Sequence, residues 1–367
     1  MKYVEEFRKK KLVSGFLSEI RKITPQRQIR IMEVCGTHTQ SFFRFGLDKL
    51  LPQNIQLISG PGCPVCVSTQ EYIDAAIKLA GEKNTLIATF GDMLRVPGTR
   101  STLEKGRARL GNIAVVYSPL DALRLARNHP DKKVIFLAVG FETTAPAIAL
   151  SILKAKQEKL GNISFFSSLK LIPPAMEYLL QDKALKLDAF LCPGHVSAII
   201  GARAYEFVAR QYRAPCCVTG FEPLDILEGI YLLLEQLIKA RSQVDNQYAR
   251  VVTKSGNRQA QKFMAQVFKI SDADWRGLGT IPKSGLKIKD NFSRFNAEKV
   301  FNIKLYTLYS IHNTQCRCGD ILKGLINPTA CPLFAKICSP EHPVGPCMIS
   351  HEGACNAYYQ YRRSATT

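Results

Sequence analysis

The chemistry in this chain begins with its sulfur. Two of its twelve cysteines lie in Gly60-Pro61-Gly62-Cys63-Pro64-Val65-Cys66. The glycines of that loop permit a tight turn and the prolines hold it in one shape. Two thiols three positions apart, between an apolar run (Ile55 to Ser59) and a helical pattern from Thr69, form either a metal clip or a redox couple. The helix that follows is expected to aim unpaired N–H groups at the sulfurs and favour their thiolates. Cys35-Gly36-Thr37-His38 ends another apolar run. A thiolate and an imidazole at that spacing could share a metal, or His38 could deprotonate Cys35.

The tail carries six more cysteines within forty residues: Cys316, Cys318, Cys331, Cys338, Cys347 and Cys355, spaced C-x-C-x12-C-x6-C-x8-C-x7-C. Its many Gly and Pro residues leave too little apolar surface for a core of its own, so an inorganic group is expected to hold it. Four thiolates suit zinc or a [4Fe–4S] cluster. Six exceed one cluster's four and leave two as a dithiol beside it. Glu352, between Cys347 and Cys355, and Asp92, after Phe90-Gly91, join the candidate catalytic residues, although capping a helix is the default for Asp at that place. Cys192 in Cys192-Pro193-Gly194-His195 is expected to pack, as are Cys216 and Cys217 inside an apolar run.

These residues need elements to place them. Apolar runs at 29–34, 55–59, 85–90, 113–117, 134–139, 163–167, 189–192 and 216–219 alternate with helical patterns. That rhythm is expected of parallel sheets covered on both faces. The reading is an α/β fold: two parallel-sheet domains, 1–128 and 129–245, facing a cleft, a connector at 246–310 with a helix near Gln259–Phe268, and a small loop-rich iron–sulfur domain at 311–367. An amphipathic helix is expected over Val4–Arg21, where Leu12, Phe16 and Ile20 recur every four residues. In open α/β sheets ligands sit beyond the carboxyl ends of the strands, and Cys35, Cys63, Cys66, Asp92, Glu142 and His195 all fall just past such ends. Thr143 and Thr144 read as helix caps.

Composition narrows the function. Hydrophobic content of 46% with 22% charged residues is that of a globular protein, and 367 residues suffice for two or three domains. Residues 1–11 are charged and lack the apolar core of a secretory signal, and the longest charge-free run, 50–70, holds three prolines. A cytoplasmic location without membrane contact is expected, and there twelve cysteines point to metal or catalysis rather than disulfides. The net charge of +20 comes mostly from 1–30 and 241–310, which lack the interleaved aromatics of a nucleic-acid surface; a basic face for an acidic protein fits as well. No P-loop, G-x-G-x-x-G or H-E-x-x-H signature is present.

Taken in order, Met32-Glu33-Val34-Cys35-Gly36-Thr37-His38-Thr39, Gly60 to Val67, Gly140-Phe141-Glu142-Thr143-Thr144-Ala145-Pro146, Cys192-Pro193-Gly194-His195-Val196-Ser197 and the six-cysteine tail closely resemble the HypD family of [NiFe]-hydrogenase maturation factors. The resemblance runs from about residue 30 to 360. It implies a scaffold for assembling the Fe(CN)2CO part of the hydrogenase centre, working with a HypC-type chaperone that shares the iron and a HypE-type cyanide donor. It implies iron held by Cys35, Cys63 and Cys66, a [4Fe–4S] cluster on Cys316, Cys331, Cys338 and Cys355, and Cys318 and Cys347 as a redox-active pair. In chemistry the tail is similar to ferredoxin:thioredoxin reductase. The competing expectation is a cluster-dependent thiol:disulfide oxidoreductase that assembles no iron centre.

Overall fold

The computed structural model describes residues 5–182, 184–305 and 315–362. The eight apolar runs all form strands: β1 (Ile29–Glu33), β2 (Ile55–Ser59), β3 (Thr85–Thr89), β4 (Ile113–Val115), β5 (Lys133–Gly140), β6 (Ile163–Lys170), β7 (Ala189–Pro193) and β8 (Cys216–Thr219). β3, β7 and β8 are buried along their whole length and β5 along all but its first residue, as continuous apolar strands between helical layers must be. Three further strands follow: β9 (Val244–Asn246), β10 (Phe268–Trp275) and β11 (Gly279–Ile288).

The strands build two sheets. One has the order β2-β1-β7-β8-β9 and is parallel throughout. The other has the order β10-β11-β6-β5-β3-β4, parallel except for the antiparallel β10–β11 hairpin on the edge of β6. The sheets do not follow the division at residue 128. β1 and β2 pair with β7 to β9, whereas β3 and β4 pair with β5 and β6, so the chain passes between sheets three times. An apolar run reveals that a strand is buried but not which strand lies beside it. Residues 246–310 are likewise more than a connector: the helix Arg258–Val267 forms where expected, and the hairpin after it extends the second sheet.

Local signals set the helix boundaries. Thr69 accepts the Tyr72 N–H at 3.3 Å and starts the helix Gln70–Ala80. Capping boxes, each followed by proline, start Pro119–Asn128 at Ser118/Asp121 and Pro223–Ile238 at Glu222/Asp225. Thr144 precedes the helix Ala145–Gln157 but makes no side-chain cap. Near the N-terminus the helix is Lys10–Ile23, preceded by a separate 3₁₀ turn at Glu5–Arg8; it buries Leu17 and Ile20 and leaves Leu12 exposed. Among the described residues no helix is long and apolar enough to cross a membrane.

The first sheet has one core, the second has one on each face, and a fourth joins the sheets. Phe136 and Phe165 anchor the second sheet, and Ile29, Ile31 and Leu191 pack the first against Pro223–Ile238. The joining core combines Met32, Phe190 and Cys192 of the first sheet with Phe141, Ile172 and Trp275 of the second, and with Ile321, Cys347 and Ala354 of the tail. The described part of the tail has two helices, Cys318–Leu322 and Ala354–Arg362, with single 3₁₀ turns between them. It borrows its core from both sheets.

Glu142, just past β5, is 1% exposed. Its Oε1 accepts the Ile172 N–H at 3.0 Å while its Oε2 has no partner. Burial pushes this carboxyl up from 4.5 to about 7. The unfolded chain therefore loses the proton first, so this group costs nothing below about pH 4.5 and destabilises progressively as pH rises toward 7. The variant Glu142→Gln should gain stability relative to the parent by roughly 1–3 kcal/mol between pH 4.5 and 7, read from urea unfolding across that window. Phe165→Ala, which empties a fully buried site, should cost about 3–5 kcal/mol in the same assay.

Candidate functional site

Cys35 leaves β1 in extended backbone and stands as the N-cap of the helix Gly36–Arg44. The nearby backbone N–H groups of His38 and Thr37 favour the thiolate, although the sulfur makes no cap bond and the His38 N–H donates to the Cys35 carbonyl at 2.9 Å. Burial, and then the Glu352 carboxylate, outweigh them and push the thiol up to about 12. Glu33, the last residue of β1, is 3% exposed. It accepts the Cys35 N–H at 3.1 Å on one oxygen and the Thr39 hydroxyl on the other. Burial raises its carboxyl to about 8. Glu352 reaches this place from the tail, accepts the Thr37 hydroxyl at 2.8 Å and backs onto Gly36. It too is raised, chiefly by burial, with a further push from the charge of Asp92.

The Cys63/Cys66 loop is the first crossing between the sheets, leading from β2 to the helix Gln70–Ala80 and β3. It is strapped to the end of β1 by Gly60 N–H to Glu33 O at 2.8 Å and Gly36 N–H to Gly62 O at 3.1 Å. The contact at Gly62 is so close that any Cβ there would collide with the backbone of Val34 and Cys35. The two sulfurs lie 2.6 Å apart, and the Cys66 N–H donates to Cys63 Sγ at 3.3 Å. The local turn supplies that donor. The expected helix N-terminus does not, because the helix begins only at Gln70 and Thr69 caps it. Cys66 also faces the tail, with its sulfur 3.8 Å from the Pro346 carbonyl.

In the tail, Cys316, Cys318, Cys331, Cys338 and Cys355 line one cavity together with Leu333, Phe334 and Met348. Cys316 and Cys318 sulfurs are 3.2 Å apart. A Cβ on Gly345 would sit 2.5 Å from the first and 2.6 Å from the second, so only glycine leaves that wall open. Walls of thiol and hydrocarbon fit a polynuclear iron–sulfur group held by four of these five. Among the described residues no three Cys, His, Asp or Glu side chains converge as on a single metal ion. That holds for Cys35, Cys63 and Cys66 as well. Cys347 lies outside the cavity and is fully buried, with Cys318 and Cys66 as the thiols that act on it most. Those two donors, Cys318 first, lower its thiol below the ordinary value, while its neighbours Cys66 and Cys355 are raised.

Two candidates serve differently from expectation. The His38 ring turns away from Cys35: its Nε2 lies 2.9 Å from the Gly220 carbonyl and 3.0 Å from the Thr219 hydroxyl, and its face lies on Phe221. Burial lowers it to about 4, so it is a neutral brace to β8 and its Nδ1 has no partner. Asp92 is exposed inside a 3₁₀ turn, Gly91–Arg95, whose N-cap is Phe90, so it caps nothing. His195 is exposed and also stacks on Phe221, with ring centroids 4.0 Å apart. Cys192, Cys216 and Cys217 are buried in the first sheet as expected. Sequence reasoning passed over Glu33 as a functional group. Its signal was a carboxylate ending an otherwise apolar strand two residues before a cysteine.

A family model described as HypD, hydrogenase formation hypA family, matches residues 11–362. The chain is 43% identical to the hydrogenase maturation factor HypD of Escherichia coli strain K12, over 99% of each chain. It is 42% identical to the factor of the same name from Cupriavidus necator, over 99% of this chain and 98% of that one. It is also 43% identical to the hydrogenase expression/formation protein HupD of Azotobacter chroococcum, over 99% and 97%. With its thiols arranged between two α/β sheets and a match along nearly its whole length, the chain belongs to the HypD family of hydrogenase maturation factors.

Proposed function

We propose that this maturation factor is the scaffold on which the Fe(CN)2CO unit of [NiFe]-hydrogenase is assembled, and that its tail thiols feed electrons to the assembly loop. The observation that carries the reading is the grouping of sulfur: Cys316 and Cys318 lie 3.2 Å apart, Cys66 and Cys63 lie 2.6 Å apart, and the buried Cys347 thiol is perturbed first by Cys318 and then by Cys66. That grouping ends on a loop whose backbone presses against Cys35. Cys316, Cys331, Cys338 and Cys355 would hold a [4Fe–4S] cluster, which when bound supplies single electrons to the tail.

The chain's own thiols then complete the transfer. The Cys347 thiolate attacks Cys66 of a Cys63–Cys66 disulfide, forming an S–S bond to Cys66 as the bond between Cys66 and Cys63 breaks and Cys63 leaves as thiolate. Cys318 next attacks Cys347, and Cys66 is released. Two electrons pass to Cys63 and Cys66, the two protons given up by Cys318 and Cys347 end on them, and Cys318–Cys347 becomes the disulfide. The lowered Cys347 thiol suits the attacking role. The iron unit is cargo, carried by Cys35 with Cys63 and Cys66, while Glu352 and Glu33 surround the Cys35 sulfur and backbone. A HypC-type chaperone sharing the iron and a HypE-type cyanide donor are the proposed partners, in a reducing cytoplasm that keeps twelve thiols free.

A second reading has support in the lack of a converged ligand trio among the described residues: a thiol:disulfide oxidoreductase that binds no iron unit. Infrared spectroscopy of anaerobically co-purified protein separates the two. CN⁻ and CO stretching bands should appear with the parent and vanish in Cys35→Ala, whose visible iron–sulfur absorption stays unchanged; bands that persist in the variant remove Cys35 from the site. Cys347→Ser should keep the absorption and yet leave the Cys63–Cys66 disulfide at least about tenfold less reduced when electrons are supplied to the tail, measured by alkylation and mass spectrometry. Normal reduction in that variant would break the proposed route.

A further inference from the structure

The second sheet carries a cavity of about 370 Å³ that the thiol chemistry does not use. Its walls are β6, the β10–β11 hairpin, the start of the helix Gln70–Ala80 and the short helix Ala297–Val300. Its size falls within the range of small-molecule pockets, roughly 300–1,000 Å³.

Two charged side chains meet in this cavity with bonding capacity to spare. Lys170, the last residue of β6, lines it although only 3% exposed. Its Nζ donates to the Ser168 hydroxyl at 3.0 Å and lies 5.9 Å from the centre of the Trp275 ring. Among the described residues it forms no ion pair, so two of its three N–H donors are open to a ligand. Burial lowers this amine to about 8, with Asp274 acting in the opposite sense. Ser168 accepts from Lys170 and keeps its own O–H to donate. Glu298, in the short helix, lines the same cavity and is half-buried. Among the described residues its carboxylate makes neither an ion pair nor a side-chain hydrogen bond.

Position and charge then narrow the ligand. The Lys170 Nζ stands level with Ser168, whereas Glu298 follows Asn296, which bridges to Phe165 further back on β6. Three residues of strand, about 10 Å, separate those levels. One hydrogen bond of about 2.8 Å at each end leaves room between them for a small molecule with a charge at either side. The lining carries two cations, Lys170 and Lys287, and four carboxylates, Glu71, Asp272, Asp274 and Glu298. A plain anion is repelled by the carboxylates, and a plain cation meets the buried ammonium. A zwitterion satisfies both.

We propose that this cavity binds a free α-amino acid, with its carboxylate on Lys170 and Ser168 and its ammonium on Glu298. The site is separate from the thiols and does not depend on the relay.

Calorimetric titration of the full-length, anaerobically purified protein with each standard amino acid tests this. At least one should bind with a Kd below about 1 mM. Its decarboxylated amine and its deaminated acid should each bind at least about tenfold more weakly, because each loses one charge-assisted pair. Lys170→Met, which removes the buried charge, should weaken the same amino acid at least about tenfold. Glu298→Gln should do likewise, and since Glu298 is only half-buried this arm stands even if Lys170→Met does not fold. Absence of binding by every amino acid up to about 10 mM would overturn the proposal. So would a deaminated acid or an amine that binds as tightly as its parent, or unchanged affinity in either variant.

Discussion

Sulfur kept out of water needs a donor, a cation or a partner sulfur, and this requirement explains more of the structure than any other constraint. Cys35 meets two N–H groups at a helix start, Cys63 meets the N–H of its own turn, and Cys347 meets two neighbouring thiols. The donors near Cys35 and Cys63 belong to their own turns, whereas Cys347 has Cys318 of the tail and Cys66 of the crossover loop as neighbours. The tail must therefore dock on that loop before Cys347 has both. That shared dependence accounts for a tail that buries its side chains in the core between the sheets instead of forming one alone.

Around Cys35 the surroundings are acidic and uncharged by turns. Glu33 and Glu352 are both raised by burial, so near neutrality Glu33 tends to hold its proton and can donate as well as accept hydrogen bonds. A sulfur that carries negative charge in such a place is favoured once a metal cation balances it. The ordinary resting state of Cys35 is the neutral thiol. Cys35 is thus placed to become a thiolate only when a cation arrives, in contrast to Cys347, whose neighbours favour the charge beforehand.

The strands were legible because every buried one is a short apolar run with turn residues beside it, and eight such runs became β1 to β8. Their partners were not legible. Val34 and Phe90 end runs of the same character, yet one run adjoins β7 and the other β5. The β10–β11 hairpin escaped notice because its residues are half exposed at a sheet edge, with Lys269, Asp272 and Asp274 on one strand and Pro282 on the other. The cysteines were legible by count and spacing, whereas the position of Cys347 between Cys318 and Cys66 is tertiary. The place of the His38 ring was not legible for a related reason. Spacing places the imidazole near Cys35 along the chain, but the adjoining strand β8 offered its ring a carbonyl and a hydroxyl.

The interleaving of the two sheets bears on the order in which the protein becomes competent. β1 waits for β7, which lies some 150 residues later, and the second sheet is extended only by β10 and β11. A ribosome delivers the tail last, after every strand that it packs against. The loop with Cys63 and Cys66 is therefore made early and spends most of synthesis without the residues that enclose it. Only when the final cysteine segment docks do Cys347 and Cys66 become neighbours, so a stalled chain presents the loop without the residues that enclose it.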